Sequence, residues 1–190
     1  MNLTYTPNIT NHAIELSKKT EKHNEGIATK VLEHFTDLDL LEYVKKNFGF
    51  FINHGIIDRE WFARFEPEML SFLNIFTKGS NNLVLNQTDM TVLVLDCHLS
   101  VDVMDESYAG ISVYGKGYLD ARLMGRSASF IKLNGNSAAE VSVSGYAVAN
   151  ITSGGKSNLK VENHDNSLVM VVNRSKGWLE HTGTDKLIIN

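Results

Sequence analysis

Five carboxylates are the first residues in this chain that could do chemistry: Asp102, Asp105, Glu106, Asp120 and Glu140. Two carboxyl groups about 5–5.5 Å apart can share the acid and nucleophile roles of a retaining glycosidase. Asp120 and Glu140 are twenty residues apart, which matters if the chain returns to the same place every twenty residues. The histidines are His12, His23, His34, His54, His98, His164 and His181, and no pair has the spacing of a zinc helix or finger. Cys97 and His98 are adjacent, which on a strand sends the two side chains to opposite faces. No Gly-x-Ser-x-Gly elbow exists to activate a serine. Gly154-Gly155-Lys156-Ser157 resembles the end of a phosphate loop, but Asn150 stands where that loop needs its first glycine. Tyr114 and Tyr146 are the aromatic residues best placed to meet a sugar ring or a protein. The expectation is therefore no catalytic residue, no metal ligand and no cofactor. Tyr114, Tyr146, Asp102, Asp120 and Glu140 are the candidate binding residues.

What positions these residues is a repeat of ten. Written from Val101 in lines of ten, the first column reads Val101, Ile111, Ala121, Ile131, Val141, Ile151, Val161 and Val171. The third opens Val103, Val113, Leu123, Leu133 and Val143. The fifth reads Asp105, Gly115, Gly125, Gly135, Gly145, Gly155 and Asp165. With glycine at roughly 7% of residues, five glycines in one register arise by chance only about once in a million trials.

Each column has a physical reading. Columns one and three are two apart, apolar and largely β-branched, as the buried face of a strand requires. Column two carries Asp102, Ser112, Arg122, Lys132, Ser142 and Thr152 and faces solvent, as does column four with Tyr114. Column five turns the chain, because glycine reaches positive φ without steric cost and aspartate tolerates it. Column seven is small (Ser107, Gly117, Ser127, Ser137, Ala147) and is expected at a corner, with column eight returning to the interior. Ten residues are too few to close a coil around a packed core, so two repeats per coil are expected. Residues 101–180 then make four coils, rising about 4.8 Å each. Asp120 and Glu140 would stack on successive coils. Leu83-Val84-Leu85 and Leu93-Val94-Leu95 are read as earlier coils in a register shifted by two. Ser153, Asn158 and Asn163 interrupt the apolar columns, as a narrowing core or a C-terminal transition would.

Ahead of the repeat the pattern is helical. Residues 1–26 are polar and read as an arm. Ile27, Val31, Leu32 and Phe35 fit one helix face. Thr36 or Asp37 caps a second helix carrying Leu38, Leu41, Val44 and Phe48 and stopping at Gly49. Asp58 caps a third with Trp61, Phe62 and Phe65, broken by Pro67. A fourth carries Met69, Phe72, Leu73 and Phe76 and ends near Gly79. A solenoid leaves open strand edges, and this aromatic block is expected to cover one of them or to meet another chain.

The fold class expected is mainly β with an α N-terminal segment: a parallel β-helix capped by short helices. Its divisions are an arm (1–26), a helical segment (27–79), the solenoid (80–180) and a C-terminal cap (181–190). Bulk composition bounds the partners. Net charge is -4, which gives no electrostatic footing for nucleic acid. No apolar run is long enough to span a membrane. The start of the chain lacks the pattern of a signal peptide, and a single cysteine makes no internal disulfide. A cytoplasmic or virion setting is expected.

The periodicity over residues 101–180 resembles that of short-repeat β-helix proteins such as bactofilins and pentapeptide-repeat proteins. Columns three and eight are five apart, as in pentapeptide repeats, but the Ala-(Asp/Asn) pattern of those repeats is missing. Bactofilins polymerise end to end; the helical block here departs from their plan. An arm, a helical block and a β-helix together also look like phage fibre or decoration proteins. The resemblance implies a non-enzymatic scaffold that presents a solenoid face to protein or glycan, possible partners including further copies of itself. A filament-forming protein and a glycan-active β-helix enzyme are the alternatives.

Overall fold

The computed structural model describes residue 16 and residues 18–20, 35–183 and 187–189. The chain divides into two compact units, residues 1–73 and 74–190. The arm over 1–26 and the helix face of Ile27, Val31 and Leu32 lie outside the described residues, except Leu16 and 18–20, which are helical.

From residue 35 onward the first unit contains four short helices. In α1 (Asp37–Lys46), Thr36 accepts from Asp39 N while the Asp39 carboxylate accepts from Thr36 N, a reciprocal capping box. Helix α2 (Phe48–Asn53) follows directly, so Gly49 lies inside a helix instead of ending one. The stop comes two residues earlier, at Asn47, whose N–H closes back on Tyr43 O and Val44 O. Asp58 caps α3 (Arg59–Phe62) by accepting from Trp61 N at 2.8 Å. Pro67 starts α4 (Pro67–Phe72), where its missing N–H is no loss. Leu41, Val44, Phe48, Phe51, Trp61 and Phe62 are buried. Phe72 is 73% exposed, so it does not join them, and α4 ends there rather than near Gly79.

The second unit is a β-solenoid. Strands β1 (Ile75–Phe76), β3 (Asp89–Leu95), β5 (Tyr108–Tyr114), β7 (Ala128–Leu133), β9 (Val148–Ser153), β11 (Leu168–Asn173) and β13 (Leu187–Ile189) form one sheet in that order. The other sheet holds β2 (Ser80–Asn86), β4 (His98–Met104), β6 (Tyr118–Leu123), β8 (Ala138–Val143), β10 (Asn158–Asn163) and β12 (Leu179–Gly183). Every pairing is parallel. From β4 onward partners are twenty residues apart, as Val101↔Ala121 and Ile111↔Ile131, until the last pair of the seven-stranded sheet closes up to Val169↔Leu187. Two ten-residue repeats therefore make one coil, and the leading column is a buried ridge.

The turn column behaves as its residues require. Asp105, Gly115, Gly125, Gly135, Gly145, Gly155 and Asp165 all have φ between 53° and 77°, and Asp96 does the same work one coil earlier at 54°. Column seven, however, points inward: Ser107, Ser127, Ser137, Ala147, Ser157 and Ser167 are buried. Small size is useful there, and Ser157 and Ser167 donate to the turn carbonyls of Gly154 (2.9 Å) and His164 (2.6 Å). Column eight does not return to the interior. Tyr108 is 45% exposed, and column nine is inside instead, with Ala109, Leu119, Ala139, Ala149, Leu159 and Val169. The odd columns on either side of the turn keep one parity, so the period of two assigns nine, not eight, to the core.

The early coils are shorter. Leu83 pairs with Val101, eighteen residues on, and Val92 with Ile111, nineteen on. That one-residue difference flips β3 relative to β2. Val92 and Val94, not Leu93 and Leu95, face the core. At the other end the interior becomes polar. Ser153 Oγ donates to Asn173 Oδ1 at 2.7 Å, and His181 Nε2 donates to Asn163 Oδ1 at 2.6 Å. Asn163 and Ser153 are almost fully buried, so a hydrogen-bonded ladder replaces the apolar one there.

Candidate functional site

Each sheet has an outer face made by columns eight, ten and two, and the two faces differ in chemistry. On the six-stranded sheet, column ten runs Ser100, Asp120, Glu140, Lys160 and Glu180 in register. Column two runs Asp102, Arg122, Ser142, Glu162 and Thr182. The sequence expectation that Asp120 and Glu140 stack on successive coils is met. With them on this face is Asp102. The other two candidates are elsewhere: Tyr146 is at a corner and 67% exposed, and Tyr114 is on the opposite sheet and 4% exposed.

Tyr114 was expected to face solvent, and column four does lie outside the solenoid. Its ring is nonetheless buried. It sits in register beside Leu95, and the ammonium of Lys132 from the next strand lies 6.0 Å from the ring centroid. Long neighbours on adjacent coils cover a side chain that alternation alone would expose.

Two ion pairs form on the six-stranded face, and Asp120, Glu140 and Glu180 add further negative charge to it. Arg122 grips Asp102 with two hydrogen bonds, Nε to Oδ1 at 2.7 Å and Nη2 to Oδ2 at 3.1 Å. Lys160 Nζ lies 2.8 Å from Glu162 Oε1. That contact raises the lysine and lowers the glutamate from their ordinary pKa values, mainly through the hydrogen bond they share. Asp120, Arg122, Glu140, Lys160 and Glu162 ring a shallow depression of about 280 Å³. A retaining hydrolase holds its two carboxyl groups on opposite sides of the bond it breaks; here Asp120 and Glu140 project side by side from a single sheet face.

Tyr118 completes this face. Desolvation pushes its phenol up to about 12, with a hydrogen bond to Glu140 and the charges of Glu140 and Asp120 adding to the shift. Its ring also meets His98 edge to face, centroids 5.2 Å apart. A raised phenol pKa stabilises the fold below the ordinary value near 10, and that contribution disappears as pH rises through about 12. Glu140→Gln is expected to bring the phenol back toward its ordinary value. Ultraviolet titration of phenolate, taken as wild type minus Tyr118→Phe, reads this directly. An unmoved titration would mean that Glu140 is not the partner.

The outer face of the seven-stranded sheet is different. Across β5 to β13 it carries Tyr108, Phe130, Val148, Leu168, Met170 and Ile188, with Ala128 and Val172, and among them the uncharged polar Ser112, Asn150 and Thr152. Tyr108 and Phe130 are each 45% exposed and Ile188 is 47% exposed. Gly110 pairs with Phe130 and places no side chain beside the ring. Lys132 is the one charged residue in these columns on β5 to β11.

The two corners flanking this face also differ. The corner that precedes each of β5, β7, β9 and β11 holds Asp105, Glu106 and Asp165, with Arg126 as the one strong base at those four turns, 4.0 Å from Glu106. The corner that follows each strand holds Lys116, Lys156, Arg174 and Lys176, with Asp96 as its one acid. The Asp96 carboxylate is occupied by the Lys116 backbone N–H at 2.7 Å. The asymmetry of faces and corners was legible in the sequence once lines of ten were read alternately, because odd lines and even lines belong to different sheets.

Among the described residues no cluster of three or more His, Cys, Asp or Glu side chains could hold a metal ion. No helix there is long and apolar enough to cross a membrane. No family model matches this chain, and neither does any curated protein or solved structure.

Proposed function

We propose that this protein is a non-enzymatic scaffold that binds a protein partner through the outer face of its seven-stranded sheet. One observation carries the reading: the two outer faces of a single solenoid have opposite chemistry. The six-stranded face is charged, with ion pairs at Asp102–Arg122 and Lys160–Glu162 and with Asp120, Glu140 and Glu180 beside them. The seven-stranded face leaves Tyr108, Phe130 and Ile188 half in water. Exposed aromatic and aliphatic residues interleaved with uncharged polar ones, inside charged borders, are the composition of a contact surface. A rigid sheet suits that task, since ordering costs are met on folding and not on binding.

The test is photo-crosslinking in the producing cell. A photoreactive phenylalanine replaces Phe130 on the proposed face, or Ser142 on the other. A discrete crosslinked protein band at position 130 and none at 142 is the expected result. Crosslinks confined to position 142, or none at either, would end the reading. Light scattering against concentration addresses the filament alternative: scattering that levels off fits a discrete complex, and scattering that keeps climbing fits end-to-end growth.

A further inference from the structure

We infer that the partner of this face is a second copy of the chain, packed sheet to sheet about a twofold axis that runs parallel to the solenoid axis. The dimer rests on the scaffold reading and specifies its occupant.

Size and charge together select it. Five strands at about 4.8 Å and five residues at about 3.3 Å, with the corner side chains added, make a footprint of roughly 24 by 20 Å. Two such faces bury on the order of 1,000 Å², the lower bound for a specific interface. Flat sheets also pack face to face readily, at about 10 Å.

The corners then fix the direction. An isologous dimer can place its axis along the solenoid or across it. An axis across the solenoid would set the Lys116–Lys176 corner against its own copy, and the Asp105–Asp165 corner likewise. An axis along the solenoid sets basic corner against acidic corner in both halves. Level by level, Lys116 then meets Glu106 of the other copy, and Arg174 and Lys176 meet Asp165. Complementary potentials of this kind decide orientation even where they add little affinity.

In the same arrangement column ten lies on the axis. Phe130 faces Phe130 of the other copy, whereas the crosswise arrangement would bring it to Met170. The two geometries therefore give different cysteine pairings.

Sedimentation velocity on the full chain is expected to show a reversible monomer–dimer equilibrium in the micromolar range. Phe130→Asp should weaken it by about 30-fold or more, because an apolar anchor that faces its own copy across the axis becomes a charge on both sides. Circular dichroism should show the variant folded, since Phe130 is on the surface. Glu106→Lys and Lys116→Glu should each weaken the dimer, and the double swap should restore it. Orientation is read by oxidising Phe130→Cys in a Cys97→Ser background, a change to the residue that the same column carries at Ser107, Ser127 and Ser137. A 130–130 disulfide is expected. A chain that stays monomeric at hundreds of micromolar, a dimer indifferent to Phe130→Asp, a failed charge-swap rescue, or 130–170 pairing in a mixture with Met170→Cys would each overturn the dimer. A monomer that still crosslinks a different protein at position 130 leaves the scaffold reading standing; a monomer that crosslinks nothing removes both.

Discussion

Gly155→Ala is expected to cost the solenoid about 3 kcal/mol, well above the roughly 1–2 kcal/mol that left-handed strain alone imposes on a residue with a Cβ. Gly155 sits at φ +69°, and a Cβ there would lie 2.7 Å from Gly135 O and 2.8 Å from Gly135 N. Those are backbone atoms of the coil below and cannot swing aside. The coils would have to part, weakening the bonds that stitch this corner, Lys156 N to Gly135 O at 2.7 Å and Lys176 N to Gly155 O at 2.9 Å. Gly125→Ala is the internal control. Its φ is +70°, but its nearest neighbour, Asp105 Cα, is 3.2 Å away, so strain is matched and the clash is milder. Urea unfolding followed by Trp178 in a Trp61→Phe background reports on the solenoid unit alone. Equal losses for the two variants would show that coil-to-coil contact at the corner is not what the glycines protect.

The second large effect belongs to the core. Leu119 is fully buried on β6, in register between Leu99 and Ala139. Leu119→Ala is expected to lose about 3–4 kcal/mol, in the upper part of the usual range for such truncations. Ala139 on the neighbouring coil is too small to fill the space. A solenoid gains its stability from neighbour-to-neighbour interfaces, so the loss should also appear as faster amide exchange across β4, β6 and β8. Leu159→Ala is the comparison, in register between Ala139 and Leu179, which is only partly buried, and it should cost less. A loss below about 1 kcal/mol for Leu119→Ala would mean that the site collapses around the gap.

The parts of the fold read correctly from sequence are those where one residue type has one physical reason. Glycine and aspartate in column five announce the positive φ that they adopt. Val and Ile in column one announce a buried ridge. Thr36 and Asp58 announce helix starts because a short oxygen-bearing side chain before an apolar helix face satisfies free N–H groups. Where residue type is ambiguous, sequence does not decide the face. Ala and Ser in column nine are small enough to suit inside or outside, and size alone points instead to the larger Tyr108 and Tyr118 in column eight. Leu93 and Leu95 looked like a repeat of Leu83 and Leu85, but a one-residue difference in coil length reversed their faces.

The candidate site followed the same division. The sequence alone put Asp120 over Glu140, because parallel strands in a twenty-residue coil must stack partners twenty apart. It could not place the Tyr118 phenol beside Glu140, the Lys132 ammonium over the Tyr114 ring, or Arg122 on Asp102. Those contacts depend on how long side chains lean between coils. Backbone period is a local property, set by which residues tolerate a turn and which prefer a pleat. The chemistry of a face is collective: neighbouring coils decide which side chains are covered, which charges are already paired, and which apolar groups are left in water.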